Sequence, residues 1–325
     1  MGNTDSIEFS VVIPLFNKKP FIRGTLETVL AQNHQFFEVI IVDDGSTDGS
    51  VDEIQDLLGS KVRLVRQQNS GPGAARNRGF AESRFDWVAL LDADDRWMSD
   101  HLSTLACLVS TFPAADAVVT AFKRSRWQQP MERTRQAPDQ ARGYLLNYFR
   151  EAGIREAVWT SCVAIRRDAF AQTSGFGHFW PGEDSEFWAR LALDHPFAAT
   201  RKITAYYTIE TGGLIDSGDT SGIKEAEASK QGLFGTLENA LSEPRYERLH
   251  EDIRFYRDKL LARLAKQDLY AANTSHARKW LSQVEDKWRL DVSFLRLLAC
   301  FPKWLVLTGV SAYKGIKHAG RGCQR

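Results

Sequence analysis

The sequence predicts an α/β fold, with a mostly parallel sheet sandwiched by helices and a helical C-terminal extension. Three observations lead there. Up to about residue 125, short β-type runs alternate with longer helical stretches. Strands separated by single helices imply right-handed crossovers and parallel pairing, the Rossmann-like arrangement. The strand candidates are β-branched and almost uniformly apolar, as strands covered on both faces are.

Taken in order, Phe9 to Leu15 (FSVVIPL) reads as a buried strand, followed by a helix from Pro20 to Gln32. Phe37 to Val42 (FEVIIV) is the second strand and runs directly into Asp43 and Asp44. Gly49 to Leu58 reads as a helix, Val62 to Arg66 as a strand and Gly71 to Ser83 as a helix. Trp87 to Leu91 (WVALL) is the fourth strand, Ser99 to Thr111 a helix, and Ala117 to Ala121 closes the series. Between Phe122 and Ala157 there is no clear periodicity, and Trp159 to Arg166 reads as a further strand. From Ile223 the pattern is helical, with Ile253, Tyr256, Leu260 and Leu264 at helical spacing. The expected division is an α/β domain over 1–212 and a helical region over 213–325.

Composition narrows the function classes. The 325 residues are 43% hydrophobic and 26% charged, ordinary for a soluble globular chain. A net charge of +1 gives no whole-protein argument for binding nucleic acid. Cys107, Cys162, Cys300 and Cys323 are far apart and form no CxxC pair. That spacing argues against a structural zinc site or a disulfide framework and suits a reducing compartment. The N-terminus lacks the basic start and long apolar core of a secretory signal. Gly2 and Ser6 match a short, common myristoylation pattern that carries little weight. The expected location is the cytoplasm.

In sheets of this type, ligands bind beyond the carboxyl ends of the strands. That rule collects Pro14, Phe16 and Asn17 after the first strand, Asp43 and Asp44 after the second, and Asp92, Asp94 and Asp95 after the fourth. Three carboxylates within four residues repel one another, and a divalent cation relieves the crowding. Oxygen ligands suit magnesium or manganese, held by one or two carboxylates plus substrate phosphates. The bland alternative is an Asp-rich cap for the helix at Ser99, which is most credible for Asp95. Asp44 lies in VDDGSTDGS, where turn chemistry competes with a binding role. In NSGPGAARNRG, Gly71 and Gly73 permit close backbone approach at a helix start, with Arg76 and Arg78 in its early turns. Such a start can hold anionic groups, although it is neither a Walker loop nor a G-x-G-x-x-G turn.

Together the segments VVIPLFN (Val11 to Asn17), VIIVDDGSTDGS (Val39 to Ser50), NSGPGAARNRG and ALLDADDRW (Ala89 to Trp97) resemble the family 2 glycosyltransferases, whose fold is GT-A. Their order and spacing match over about the first 110 residues, and the resemblance returns at PGEDSEFWARL (Pro181 to Leu191). It implies transfer of a sugar, with inversion, from a nucleotide-diphosphate-sugar donor to a saccharide or lipid-linked hydroxyl, with Mn2+ or Mg2+ as cofactor. It further implies that Pro14, Phe16 and Asp44 hold the nucleoside, with Asp44 reading the base. Arg76 matches the family's basic residue near the nucleotide, Asp92 would contact the ribose, and Asp94 would ligate the metal. Asp184 matches the catalytic base, and an inverting displacement does need one carboxylate to take the acceptor proton. Helix capping is the competing account of Glu183 and Asp184, since acids favour a helix N-terminus.

Two departures from the family pattern stand out. Phe16 replaces a common Tyr, keeping the ring and losing the hydroxyl. The stretch TIETGGLIDSGDTSG, after the strand ending near Tyr207, lacks the histidine of the loop that often closes over the donor.

Trp159 and Trp180 suit either stacking on an acceptor sugar or ordinary packing. The tail over 294–325 is apolar but interrupted by Arg296, Pro302 and Lys303, too broken for a spanning helix. With no acidic residue after Asp291, it suits an interfacial segment on anionic lipid at the inner membrane face, or a helix covering the main domain or a partner subunit. Rival readings are a sugar nucleotidyltransferase, a haloacid dehalogenase-like phosphatase and a catalytically silent scaffold. The phosphatase would place its first Asp in the first strand. The nucleotidyltransferase would want a Gly-rich basic loop where this chain has PLFNKKP.

Overall fold

In a computed structural model, which describes residues 4, 7–131, 142–178, 182–209, 222–270, 273–285 and 290–300, the first apolar run forms β1 (Phe9–Leu15). There follow α1 (Ile22–Leu30), β2 (Phe37–Asp43), β3 (Val62–Arg66), α2 (Pro72–Glu82), β4 (Trp87–Leu90), β5 (Arg96–Trp97) and α3 (His101–Thr111). The chain continues through β6 (Ala117–Arg126), β7 (Gly143–Leu146), α4 (Tyr148–Ile154), β8 (Val163–Arg166), α5 (Arg167–Ala171), α6 (Glu183–Asp194) and β9 (Phe197–Ile209). Helices α7 (Gly222–Ser242), α8 (His250–Tyr270), α9 (Thr274–Ser282) and α10 (Leu290–Cys300) complete it.

The strands form one sheet in the order β3-β2-β1-β4-β8-β6-β9-β5, with β7 paired to β9. The half from β3 to β4 is wholly parallel, as single-helix crossovers require. In the other half β8 runs antiparallel to both β4 and β6, while β6 and β9 are parallel. The sheet is therefore mixed, with its parallel half carrying the first two acidic strand ends. Residues from Phe9 to Ile13 and from Val39 to Val42 are buried on both faces, which explains their apolar character, with Ser10 the exception that donates to Glu38.

Helix packing follows the apolar spacing. In α1, Ile22, Leu26 and Val29 face inward. Helix α2 starts with Pro72 after Gly71 at φ +88°, a backbone state that glycine adopts without strain. Gly79 lies so close to Val12 of β1 that an added Cβ would stand 2.1 Å from a valine methyl. This contact sets how near α2 approaches the sheet.

Three segments differ from expectation. The stretch Asp52–Leu57 is a 3-10 helix, not the α-helix expected over Gly49 to Leu58. Gly49 is left-handed, Asp48 takes its own Ser50 amide, and Val51, Ile54 and Leu57 recur every third residue, which matches three residues per turn. The strand expected from Trp159 begins only at Val163, because Thr160–Cys162 turn to aim Ser161 at the site. The span after Phe122, which shows no periodicity, holds the rest of β6, β7 and α4.

The chain forms two compact units. The first comprises Met1–Tyr148 and Glu156–Asn239 and carries the sheet. The second comprises Phe149–Arg155 and Ala240–Arg325. Within it, Ile253, Tyr256 and Leu264 are core as the spacing predicts, with Leu260 half-buried. Arg263 donates to the Ala152 and Gly153 carbonyls at the end of α4, and Trp280 of α9 donates to Asp268 of α8 at 2.8 Å. Among the described residues no helix is long and apolar enough to cross a membrane. Of the tail considered above, α10 is described and 301–325 lies outside the described residues.

Candidate active site

The carboxyl ends of β1, β2 and β4 bring three polar loops together. After β1, Asn17 adopts φ 51°, rare for a residue with a side chain. Its amide donates to Ser46 Oγ at 3.1 Å and its side-chain oxygen accepts the Thr47 amide at 2.8 Å. The PLFN and DDGST loops are thus sewn to each other. Pro14 is still in β1, opposite Val42, and half-buried. Phe16 beside it is 43% exposed, although a phenyl ring gains by leaving water. An exposed ring on a rigid loop at a strand end is a ready stacking surface.

The two acids after β2 divide their work. Asp43 accepts the Ser46 amide and closes the turn. Asp44 is buried and accepts the Ser70 amide, the Gly71 amide and Gln67 Nε2, each at 2.8 Å. Its carboxylate therefore fixes the loop that opens α2. Each carboxylate oxygen has two acceptor directions, so room for a further donor remains.

Arg76 projects from α2 and is buried. It donates to Asp92 Oδ1 and to Glu183 Oε1, each at 2.8 Å. Burial opposes its charge, but Asp92 and Glu183 outweigh that cost and raise its pKa above the ordinary arginine value. Arg76 so joins the end of β4 to the start of α6. Gly73 lets this happen, since an added Cβ would sit 2.8 Å from the Gly177 carbonyl and 3.3 Å from Glu183. Arg78 faces away, paired with Glu82 on the exposed side of the helix.

The three acids after β4 differ sharply. Asp95 is buried and accepts Ser161 Oγ at 2.5 Å, Trp159 Nε1 at 3.0 Å and the Thr208 amide at 2.9 Å. Burial, then the neighbouring charges of Asp94 and Asp92, push its pKa well above the usual carboxylate range. It is a structural knot tying β9 and the segment before β8 to the acidic loop. It is not the helix cap considered above, since Asp100 takes the cap position of α3. Asp92 is a quarter exposed beside Arg76, and its amide donates to Ser161 Oγ at 3.1 Å. Asp94 is paired with Lys18 Nζ at 2.5 Å.

Helix α6 begins after Gly182 at φ 109°. Glu183 points inward to Arg76; burial raises its pKa, with Arg76 pulling the other way. Asp184 is half-buried, and its Oδ1 accepts the Ser185 amide at 2.6 Å. Both acids sit in the first turn, where the helix dipole favours them, a placement compatible with a helix-start role and with a chemical one.

The candidate site groups Phe16, Asp44, Arg76, Asp92, Asp94 and Asp184 on strand-end loops and helix starts joined by direct hydrogen bonds. A family model for glycosyl transferase family 2 matches residues 10–173. The chain belongs to glycosyl transferase family 2. The teichuronic acid glycosyltransferase TuaG of Bacillus subtilis, a putative assignment in its name, is 40% identical over 96 residues, 29% of this chain and 38% of that protein. The succinoglycan biosynthesis protein ExoW of Rhizobium meliloti is 40% identical over 101 residues, 29% of this chain and 32% of that protein. The matches thus span about a third of these relatives' length. Staphylococcus aureus TarS 1-349 in complex with UDP-GlcNAc superposes with a TM-score of 0.57 at 18% identity, over 94% of this chain and 92% of TarS 1-349. The Pyrobaculum calidifontis mannosyltransferase PcManGT, solved with GDP-Man and Mn2+, gives 0.57 at 18% identity over 95% and 86%. These likenesses show the fold, which is GT-A.

Sequence reasoning alone misses several members of this candidate site. Lys18 stands in plain view in PLFNKKP but looks like a surface lysine until the fold sets it against Asp94. Ser161 gives no signal, being one hydroxyl remote in sequence from the acids it holds. Trp159 packs on Tyr207 with ring centroids 4.1 Å apart while donating to Asp95, whereas Trp180 lies outside the described residues. The TIETGGLIDSGDTSG stretch from Glu210 onward lies outside them too, up to Gly222.

Proposed function

We propose that this chain transfers a sugar, with inversion, from a nucleoside-diphosphate donor to a hydroxyl of a saccharide or lipid-linked acceptor in cell-surface polysaccharide or glycolipid synthesis. The observation that carries the reading is the Arg76 bridge. It links the acid after β4 to the first turn of α6, so a donor-side group and Asp184 share one rigid frame. Family membership and the fold support the same reaction class.

In this reading the Phe16 ring stacks on the base, with Pro14 behind it, and Asp44 accepts a base N–H beside the amides it already holds. Asp92, oriented by Arg76, accepts from the ribose. Asp184 takes the proton of the acceptor hydroxyl as that oxygen attacks the anomeric carbon. Glu183 is spent on Arg76 and Glu186 on Arg190, which leaves Asp184 as the first-turn acid of α6 for that task.

A divalent metal fits the site. Asp94 offers a hard oxygen ligand, and the ammonium of Lys18 already stands on it as a stand-in cation. Among the described residues no group of three His, Cys, Asp or Glu side chains could enclose a metal alone, so the donor's phosphates would complete the shell around Asp94. Bound there, Mn2+ or Mg2+ would act as a Lewis acid toward the departing diphosphate. The relatives TuaG and ExoW are named for teichuronic acid and succinoglycan biosynthesis, which supports a polysaccharide acceptor. An interfacial role for 294–325 and a cytoplasmic site at the inner membrane face complete the proposal.

Calorimetric binding of UDP, GDP and dTDP, with and without Mn2+, tests the donor site. One nucleotide should bind in a manganese-dependent way to wild type and not to Asp94→Ala. Failure of all three to bind would favour the scaffold reading.

A further inference from the structure

The acidic loop after β4 holds three carboxylates, and two are committed to partners that cannot leave. Asp95 is enclosed by Ser161, Trp159 and the Thr208 amide, and Asp92 is held by buried Arg76. Asp94 differs. Among the described residues its one hydrogen-bond partner is Lys18, on a flexible four-carbon stem, with side chains 22% and 17% exposed. The backbone that presents Lys18 is firmly held. Its amide donates to Ser50 Oγ at 2.9 Å, the Lys19 amide donates to Asp48 at 2.9 Å, and Asn17 is fixed to the DDGST loop. A rigid base with a mobile ammonium suits a group that moves between two anions.

We propose that Lys18 is the resident counter-ion of Asp94, occupying the place of a divalent cation until a nucleoside diphosphate arrives, when its ammonium passes to the diphosphate. Lys18 and a divalent ion cannot share one carboxylate at contact distance, because like charges so close repel strongly. Metal alone must therefore displace an ion pair and leave the lysine without an anion. Metal together with a diphosphate supplies a new anion for the lysine and further oxygens for the metal. Metal and donor consequently bind as a cooperative pair, each raising the other's affinity by the same factor. The lysine keeps the acidic loop neutralised between turnovers and discourages metal from entering without donor.

This inference rests on Asp94 as metal ligand, and the experiment separates the two. Free Mn2+ is measured by electron paramagnetic resonance against the full chain without nucleotide, for wild type, Lys18→Gln, Lys18→Arg and Asp94→Ala. Lys18→Gln should bind Mn2+ about tenfold more tightly than wild type, the scale of one charged hydrogen bond. Lys18→Arg, which keeps a cation on Asp94, should stay near wild type. Adding the nucleoside diphosphate that binds best should close or reverse the gap between Lys18→Gln and wild type. Equal Mn2+ affinity in wild type and Lys18→Gln, with binding lost in Asp94→Ala, would overturn the role of Lys18 and leave Asp94 as ligand. Unchanged Mn2+ binding in Asp94→Ala, or none in any protein with or without nucleotide, would overturn both.

Discussion

Replacing Arg76 by Met should strongly destabilise the first unit. The guanidinium makes two 2.8 Å bonds, one to buried Glu183 and one to Asp92, which is a quarter exposed. Removing one partner of a buried ion pair costs about 3–5 kcal/mol, because the other charge stays behind unpaired. Water can reach Asp92, so little of the cost comes from there. Glu183 can escape part of it by taking up a proton, since burial already raises its pKa. A loss of about 3 kcal/mol is the resulting expectation at neutral pH.

The sign of the pH dependence follows. Without Arg76 the folded-state pKa of Glu183 rises further above its unfolded value. A raised carboxylate pKa means the native state holds more protons than the unfolded one in that window, so stability falls as pH rises. The deficit of Arg76→Met should therefore be larger at pH 8 than at pH 5. Glu183→Gln in the same background should recover at least about 1 kcal/mol, because the buried charge is gone. Urea unfolding followed by tryptophan fluorescence reads this, since Trp97, Trp159 and Trp188 all lie in the first unit. A loss below about 1 kcal/mol with no pH trend would contradict the reasoning, placing the pair with weak surface bridges.

Other predictions concern single residues. His101 is buried against Trp97, and burial lowers its pKa from 6.5 to about 3. The unfolded state then binds the extra proton between those values, so stability should fall as pH drops through that window, by up to about 1.4 kcal/mol per unit. His101→Phe should flatten the slope in acid-denaturation curves. Gly79→Ala would drive a methyl into Val12 and should cost about 1–3 kcal/mol in thermal unfolding. Phe16→Ala should weaken nucleotide binding about tenfold in calorimetry and leave the unfolding midpoint unchanged, since the ring is largely exposed.

The parallel half of the fold was open to sequence reading because its strands are buried on both faces and its crossovers are single helices. Strands β1 to β4 fell within a residue of their expected bounds. The antiparallel half was less open. Strand β6 extends past Ala121 into Lys123 and Arg124, exposed charges that mask a strand period, and its register with β9 shifts at Ala121. Short β5 and β7 each carry too few residues to mark themselves. At the site, Asp92, Asp94 and Asp184 stood out as acids at strand and helix ends. The role of Asp95 did not, because it depends on Ser161, Trp159 and Thr208, which approach only once β8 and β9 are in place. The bond from Lys18 to Asp94 likewise spans 76 positions and belongs to the fold, not to either local motif.

If donor binding and proton removal belong to different acids in one frame, Asp184→Asn separates them most directly. The donor nucleotide that binds wild type should bind this variant with the same affinity by calorimetry. Release of nucleoside diphosphate from its sugar donor in the presence of acceptor should fall by roughly 10²–10⁴-fold, the usual worth of a positioned general base. Transfer at the wild-type rate, or loss of donor binding together with activity, would contradict the account.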